Sequence, residues 1–323
     1  MTRDDSAYRL PAMAVRLFQG LVLLGGAVFL TGAVRGDPRT WADLLLVSYY
    51  LLGLGLGGAV LVALFYVTGA GWGVALRRVP EALTALLPVA ALGMGLVLLA
   101  HPSLYPWSDP TRDGESLSPF QRLWLTRPFF LLRSVVYLVL WIALAFAIVR
   151  VSRRQDQSGA VSLTGRNVCL SAIFLVVFAV TCWLASTDWI MSLEPHWSST
   201  IFGVYNFAGI FLSALAAVCV AAIGLYWQGP FRNVLTLRHL HDLGTLLFGF
   251  SSFWMYIWFC QYLLIWYVNN PEETVYFWRR QQPGWQAIFL LIASVKGVFL
   301  QCRSLLVIRP PPRRGGGVGT SPS

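Results

Sequence analysis

The sequence is poor in charged residues. Charged side chains make up 12% of the 323 residues, whereas hydrophobic side chains make up 57%, and the mean hydropathy is +0.63. Soluble domains carry roughly a quarter of charged residues, so this composition excludes an ordinary soluble protein and predicts a polytopic membrane protein. The formal net charge of +10 then indicates membrane orientation rather than nucleic-acid binding, because the basic residues fall in short loops between apolar runs.

Cysteine and histidine are too sparse and too scattered for most metal chemistry. The five cysteines occur singly in apolar stretches, without a Cys-x-x-Cys pair, which argues against an iron–sulfur or zinc site. The four histidines fall at span ends or in loops, whereas a bis-histidine haem needs histidines within two spans. A phosphate-binding glycine loop and a His-Glu-x-x-His motif are also lacking. We therefore expect no bound metal and no covalent cofactor in this chain.

Apolar runs long enough to cross a bilayer recur along the chain. A span needs about 20 apolar residues, and eight runs meet this requirement: Val15–Val34, Leu44–Val67, Ala82–Ala100, Phe129–Val149, Val168–Ser186, Ile201–Tyr226, Leu243–Trp266 and Trp285–Ile308. We predict an all-α integral membrane domain over residues 1–308 and a disordered Pro/Arg/Gly-rich tail over 309–323. Arginines are concentrated in the loops on the side of the N-terminus, which predicts that both termini are cytoplasmic.

The stretch 187–197 concentrates ionisable and aromatic side chains at the outer end of a span. Carboxylates and an imidazole exchange protons near neutral pH, so we interpret this stretch as a candidate proton exit. The candidate path comprises the outer residues Asp188, Glu194, His196, His101 and Glu273 and the cytoplasmic residues His241 and Asp242. The alternative is a solvated loop whose tryptophans anchor it at the membrane interface.

Two basic residues fall inside apolar runs, where a bare charge is costly. Arg133 lies one turn into the fourth span and either snorkels outward or pairs with a buried acid. Lys296 lies near the middle of the eighth span and needs a partner acid, a wet cavity or another subunit. We include Lys296 in the candidate proton path.

Two spans have unusual compositions. The second contains Gly53, Gly55, Gly57 and Gly58, which indicates close helix packing, with a small-molecule groove as the alternative. The seventh is dense in aromatic rings, which either pack against neighbouring helices and lipid or form a flat wall for a quinone ring. The candidate quinone contacts in that span are Trp258, Gln261 and Tyr262.

Several motifs in one order resemble membrane subunits of bacterial alternative complex III. They are Thr68–Trp72, Arg77–Glu81, Tyr105–Trp107, Trp124–Phe130, Asp188–Trp197, His241–Gly244, Trp258–Tyr262 and Pro271–Thr274. From Asp188 onward the motifs are similar to the F subunit (ActF) in particular. The resemblance covers the chain from about Trp41 to about Leu290, and the ordered set is more specific than any one motif.

The resemblance implies a relative of the NrfD and polysulfide-reductase membrane anchors, built from two four-helix bundles. It implies a complex that oxidises menaquinol or ubiquinol at the bacterial inner (plasma) membrane and reduces cytochrome c or a terminal oxidase. The implied partners are a sister NrfD-like quinol-binding subunit, an iron–sulfur, molybdopterin-like subunit and haem-c cytochrome subunits. Members of this family usually carry about ten spans, more than the eight counted here. We therefore expect either a C-terminally shortened relative or a reading frame that is disrupted near Ser294–Ser304.

These observations predict a subunit of a respiratory quinol oxidoreductase, without its own redox cofactor, that supports quinol oxidation and proton translocation. One alternative is a structural scaffold that docks the quinol-binding and extracytoplasmic redox subunits through the loop His101–Arg127. A second alternative is a solute transporter, although no broken-helix pair or inverted repeat is evident. We expect no enzymatic activity from the chain alone.

Overall fold

The computed structural model describes residues 12–108, 118–227, 234–288 and 291, and no strand occurs among them. Short 3-10 turns at Thr84–Leu86, Pro102–Leu104, Pro106–Ser108 and Met191–Leu193 join some of the helices. The helices are α1 (Ala12–Val34), α2 (Pro38–Val67), α3 (Gly73–Leu76), α4 (Arg78–Leu83), α5 (Leu87–Ala100), α6 (Pro119–Trp124), α7 (Arg127–Ser158), α8 (Ser162–Trp189), α9 (Phe202–Trp227), α10 (Leu237–Val268) and α11 (Pro271–Arg280).

Within the described residues, seven segments are long and apolar enough to cross a membrane. They are Val15–Val34, Pro38–Val67, Gly73–Ala100, Arg127–Ser158, Ser162–Leu193, Phe202–Trp227 and Leu237–Val268. These segments contain the first seven predicted spans, so the all-helical, multi-pass membrane fold is confirmed. Most of the predicted eighth span, together with Lys296 and the tail 309–323, lies outside the described residues.

Helix ends are set by capping residues rather than by the limits of the apolar runs. Asp37 caps α2, where its side chain accepts a hydrogen bond from the backbone N–H of Arg39 and Pro38 takes the first helical position. At the other end of a span, Gly159 stops α7 in the left-handed conformation at φ 66°, and Asn269 stops α10 in the same way. Several helices therefore begin or end about a turn or more beyond the apolar segments predicted from sequence.

The second span, α2, is the central helix, and its glycines bring neighbouring backbones close. A Cβ atom at Gly57 would lie 2.4 Å from Ala214 Cβ on α9, and Gly53 faces Ile210 of the same helix. Gly58 faces the carbonyl of Pro80 in α4, on another side of α2. The predicted close packing is confirmed, and it occurs on two faces of α2 rather than one.

The chain divides into two compact units, Met1–Thr274 and Val275–Ser323. In the first, α1 is the least buried of the seven spanning segments, because none of its span is buried. It contacts α2, for example where Phe29 packs on Trp41. In the second unit, the Arg280 guanidinium lies 3.4 Å from the centroid of the Tyr276 ring. The candidate site lies wholly within the first unit.

Candidate functional site

A buried carboxylate stands at the last turn of α8. Asp188 has no exposed surface, and its carboxylate accepts a two-pronged hydrogen bond from Arg133 on α7. Arg133 Nε donates to Oδ2 at 3.0 Å, and Arg133 Nη2 donates to Oδ1 at 2.9 Å. Trp124 Nε1 donates to Oδ1 at 2.8 Å, and the Tyr137 hydroxyl donates to Oδ2 at 3.1 Å. We name these four residues the Asp188 site.

The Arg133 side chain is also buried. Its Nη1 donates to the Trp124 carbonyl at 2.9 Å, and its Cζ lies 4.0 Å from the Trp124 ring centroid and 4.4 Å from that of Phe129. Paired, planar hydrogen bonds to a carboxylate are among the strongest in proteins, and the two nearby rings add cation–π attraction. Of the two alternatives for Arg133, pairing with a buried acid is confirmed.

The segment that follows α5 packs beside this ion pair. The Tyr105 hydroxyl donates to the carbonyl of Trp189 at 3.2 Å, and Trp107 packs on Phe130 with ring centroids 4.9 Å apart. Burial, with a smaller contribution from the charge on Asp188, raises the pKa of the Tyr105 hydroxyl above its ordinary value. The hydroxyl therefore stays protonated and remains a donor across the physiological pH range.

A second charged cluster joins the other ends of the helices. Glu81 is buried and accepts hydrogen bonds from Arg78 in α4 and from Ser152 in α7. Arg77 donates to Asp156 at 2.7 Å, and Arg78 pairs with Asp156 as well. We name these five residues the Glu81 cluster. Its two arginines and two acids balance in charge, so α4 and α7 are fastened by a neutral network.

The two networks lie about one bilayer thickness apart along α7. Arg133 and Ser152 lie on the same helix, and 19 residues at 1.5 Å each separate them by roughly 28 Å. The hydrocarbon core of a bilayer is about 30 Å thick. The Asp188 site and the Glu81 cluster therefore fall near the opposite boundaries of the apolar layer, where paired charges are tolerated.

Polar side chains in the interior between these networks form two separate groups. Near the Asp188 site, Trp189 Nε1 donates to Ser134 Oγ at 2.9 Å, and Trp141 Nε1 donates to Thr181 Oγ1 at 2.7 Å. Asn167 and Ser171 lie in the other half of α8, and the buried residues between Ser171 and Thr181 are apolar. Thr181 lies ten positions after Ser171, which corresponds to roughly 15 Å along the helix. Side chains of the described part of α8 thus form no continuous relay, and the proton path stays a prediction.

A small cavity adjoins the aromatic interior beside Gly53. Tyr49, Trp141, Cys182 and Trp189 are among its lining residues, and it has room for about one water molecule. At this position the glycine-rich span adjoins a space for about one water molecule, and the alternative small-molecule groove stays a prediction.

The other predicted proton-path residues differ in their surroundings. His101 is half-buried, stacks on Trp41 with ring centroids 5.4 Å apart, and shares a 2.7 Å hydrogen bond with Ser103. Glu194, Glu273 and Asp242 are also half-buried, whereas His196 and His241 are exposed. Asp188 alone among the described members is fully buried. No three His, Cys, Asp or Glu residues of the described ranges come together as a metal-ligand group.

The three candidate quinone contacts lie on one face of α10. Gln261 is buried and donates through Nε2 to Ser199 Oγ at 3.1 Å. Trp258 and Tyr262 are half-buried and stack on each other, with ring centroids 5.9 Å apart and planes 8° from parallel. This arrangement provides an aromatic surface beside an amide, and quinone contact there stays a prediction.

Sequence reasoning missed the partners of Asp188 and most of the Glu81 cluster. The sequence does not indicate that Trp124 and Tyr137 belong to the site, that Ser152 donates to Glu81, or that Asp156 pairs with Arg77 and Arg78. The sequence does contain a signal for the pairing of Arg133 with Asp188. An arginine one turn after the start of a span and an acid at the end of the next antiparallel span face each other at the same depth.

Two buried serines offer a test of the interior's hydrogen bonding. Ser171 Oγ is buried without a hydrogen-bond partner in the described chain, whereas Ser134 Oγ accepts from Trp189 and donates to the Phe130 carbonyl at 2.9 Å. We expect Ser171→Ala to leave stability unchanged or raise it by about 1 kcal/mol, and Ser134→Ala to lower it by about 1–3 kcal/mol. Unfolding midpoints in mild detergent measure both. A marked loss with Ser171→Ala would show that its hydroxyl is bonded in the native protein.

Fold and site together define an all-helical, multi-pass membrane protein in which the buried Arg133–Asp188 ion pair joins α7 to α8 and the Glu81 cluster joins α4 to α7. No protein-family model matches the chain, and a comparison with curated proteins finds no match.

Proposed function

We propose that this chain is an integral membrane subunit of a quinol:cytochrome c, or quinol:oxidase, oxidoreductase complex in a bacterial plasma membrane. Within that complex it contributes structure rather than a redox cofactor. Its partners are the sister quinol-binding subunit, the iron–sulfur, molybdopterin-like subunit and the haem-c subunits implied by the resemblance to alternative complex III. Both termini are cytoplasmic in this proposal, because the arginine-rich loops lie on that side.

One observation carries the proposal: separate motifs that resemble the family meet in a single place. Asp188 comes from one motif, and its donors Trp124 and Arg133 come from or directly follow another. A third motif supplies Tyr105, which donates to the carbonyl of Trp189 beside Asp188. Residues that are far apart in sequence and share one site form a unit of architecture, which supports a common origin for the set.

The geometry favours a structural role for the Asp188 site over a proton exit. Four donors occupy the carboxylate, so protonation of Asp188 requires at least one of these bonds to break. Beside this site, α6 is also joined to the segment after α8, because Gln121 donates to the Pro195 carbonyl at 3.3 Å. A rigid outer surface of this kind suits the docking of extracytoplasmic redox subunits.

Purification of the tagged full-length chain from its native membrane tests the assignment. We expect c-type haem polypeptides and an iron–sulfur subunit to co-elute, detected by haem staining and by mass spectrometry of the eluate. A tagged, unrelated multi-pass protein from the same membrane, extracted in the same detergent, is the control for nonspecific recovery. If the chain elutes alone while other respiratory complexes in the extract stay intact, the proposal is wrong.

A further inference from the structure

The end of α7 presents a row of arginines in line with a lipid-facing apolar surface. One face of α7 lies opposite to the buried Ser152. At 3.6 residues per turn, this face contains Val139, Phe146, Arg150, Arg153 and Arg154. Val139 is 58% exposed and Phe146 is 38% exposed, and all three arginines are exposed. An apolar strip thus runs along the helix and ends in three positive charges.

The position of these charges coincides with the membrane boundary. Arg150, Arg153 and Arg154 lie within two residues of Ser152, which the Glu81 cluster places near the edge of the hydrocarbon layer. Guanidinium groups at this depth reach the phosphate level while their aliphatic stems stay beside the acyl chains. The arginine distribution predicts that this is the cytoplasmic face.

These three arginines have no acid of their own. Asp156 is the nearest acid on α7, and it is engaged by both Arg77 and Arg78. In the part of the chain that the structure describes, no ion pair involves Arg150, Arg153 or Arg154. Among the described residues, no acid balances the positive charge of this patch.

We propose that this face of α7 binds an anionic phospholipid. The acyl chains lie along Val139 and Phe146, and the headgroup phosphate pairs with Arg150, Arg153 and Arg154. An acidic protein surface would match the charges but not the lipid-facing strip that leads into them. Charge complementarity and the continuous apolar surface together select a lipid, and the assignment does not depend on the redox role proposed above.

Native mass spectrometry of the purified full-length protein tests this site. The variant Arg150→Gln/Arg153→Gln/Arg154→Gln removes the patch. The matched control, Arg35→Gln/Arg39→Gln/Arg127→Gln, removes three exposed arginines from the opposite face, so both variants lose the same charge. Each protein is titrated with phosphatidylglycerol, with phosphatidylcholine and with inorganic phosphate. Gel filtration establishes that all three proteins remain monodisperse.

We expect the wild type and the control variant to retain phosphatidylglycerol in preference to phosphatidylcholine, and the α7 variant to bind it at least about tenfold more weakly. Equal retention of both lipids by the wild type would overturn the proposal, as would unchanged phosphatidylglycerol binding by the α7 variant. Inorganic phosphate that binds as tightly as the lipid would show a simple anion site. A polypeptide lost from the α7 variant while lipid binding stays unchanged would show a protein interface instead.

Discussion

Replacing Arg133 with methionine is expected to destabilise the protein by about 3–5 kcal/mol, because the change leaves Asp188 buried without a counter-ion. Asp188 has no exposed surface, so water cannot replace the lost guanidinium unless the outer segments open. Asp188→Asn removes the other charge and is expected to have a similar effect. The unfolding midpoint in mild detergent and the amount of protein recovered from the membrane measure both losses.

Arg127→Met is the matched control for this change. Arg127 lies on the same helix six residues earlier and is exposed, so its replacement is expected to change stability by no more than about 0.5 kcal/mol. The double variant Arg133→Met/Asp188→Leu removes both charges and is expected to recover much of the lost stability. Equal, small effects of Arg133→Met and Arg127→Met would mean that the buried pair does not fasten α7 to α8.

The same variants separate the structural role from the proton exit. In the complex proposed above, if Asp188 is a structural group, Asp188→Asn is expected to lower quinol oxidation only as far as it lowers the amount of assembled complex. If Asp188 carries protons, turnover per assembled complex falls as well, and the double variant that restores stability does not restore turnover. Haem content normalises the activity of each preparation and so distinguishes these results.

The spans were predictable because length and apolarity alone determine them. A run of about 20 apolar residues has no stable alternative to a helix in a bilayer. The boundaries were harder to predict, because α7 continues to Ser158, well beyond the predicted end of its apolar segment at Val149. Whether Arg133 snorkels or pairs depends on the depth of Asp188, which lies 55 residues away. The residue types are evident from the sequence, but the relative depth of the two side chains follows from how α7 and α8 pack.

Trp124 and the Glu81 cluster illustrate what sequence could not provide. Trp124 reaches Asp188 because the α6 segment, capped by Ser118 and Gln121, places it beside the start of α7. Loop geometry of this kind follows from tertiary contacts and leaves no periodic signal. Glu81 looked like an ordinary acid in the first turn of a helix, and its pairing with Ser152 becomes visible only when α4 and α7 are brought together.

The second large effect is expected in α2, where Gly57→Ala should destabilise the protein by about 1–3 kcal/mol. The added Cβ would lie 2.4 Å from Ala214 Cβ and 3.1 Å from the Ile210 carbonyl oxygen. Neither atom can move away by a side-chain rotation, so α9 itself must move. Gly95→Ala is the control, since nothing lies within 4 Å of its added Cβ. We expect that change to be neutral or to stabilise α5 slightly through helix propensity.

The double variant Gly57→Ala/Ala214→Gly decides whether the contact itself is responsible. Exchanging the two side chains removes the 2.4 Å clash and leaves only the 3.1 Å approach to the Ile210 carbonyl, so we expect most of the stability to return. A double variant as unstable as Gly57→Ala would instead indicate that the glycine is needed for the conformation of α2.

Because α2 packs against α4, α5, α8 and α9, separation of α2 from α9 would also disturb the helix that carries Asp188. The thermal unfolding of the Gly57 and Arg133 variants is therefore expected to be cooperative, with one transition in each case.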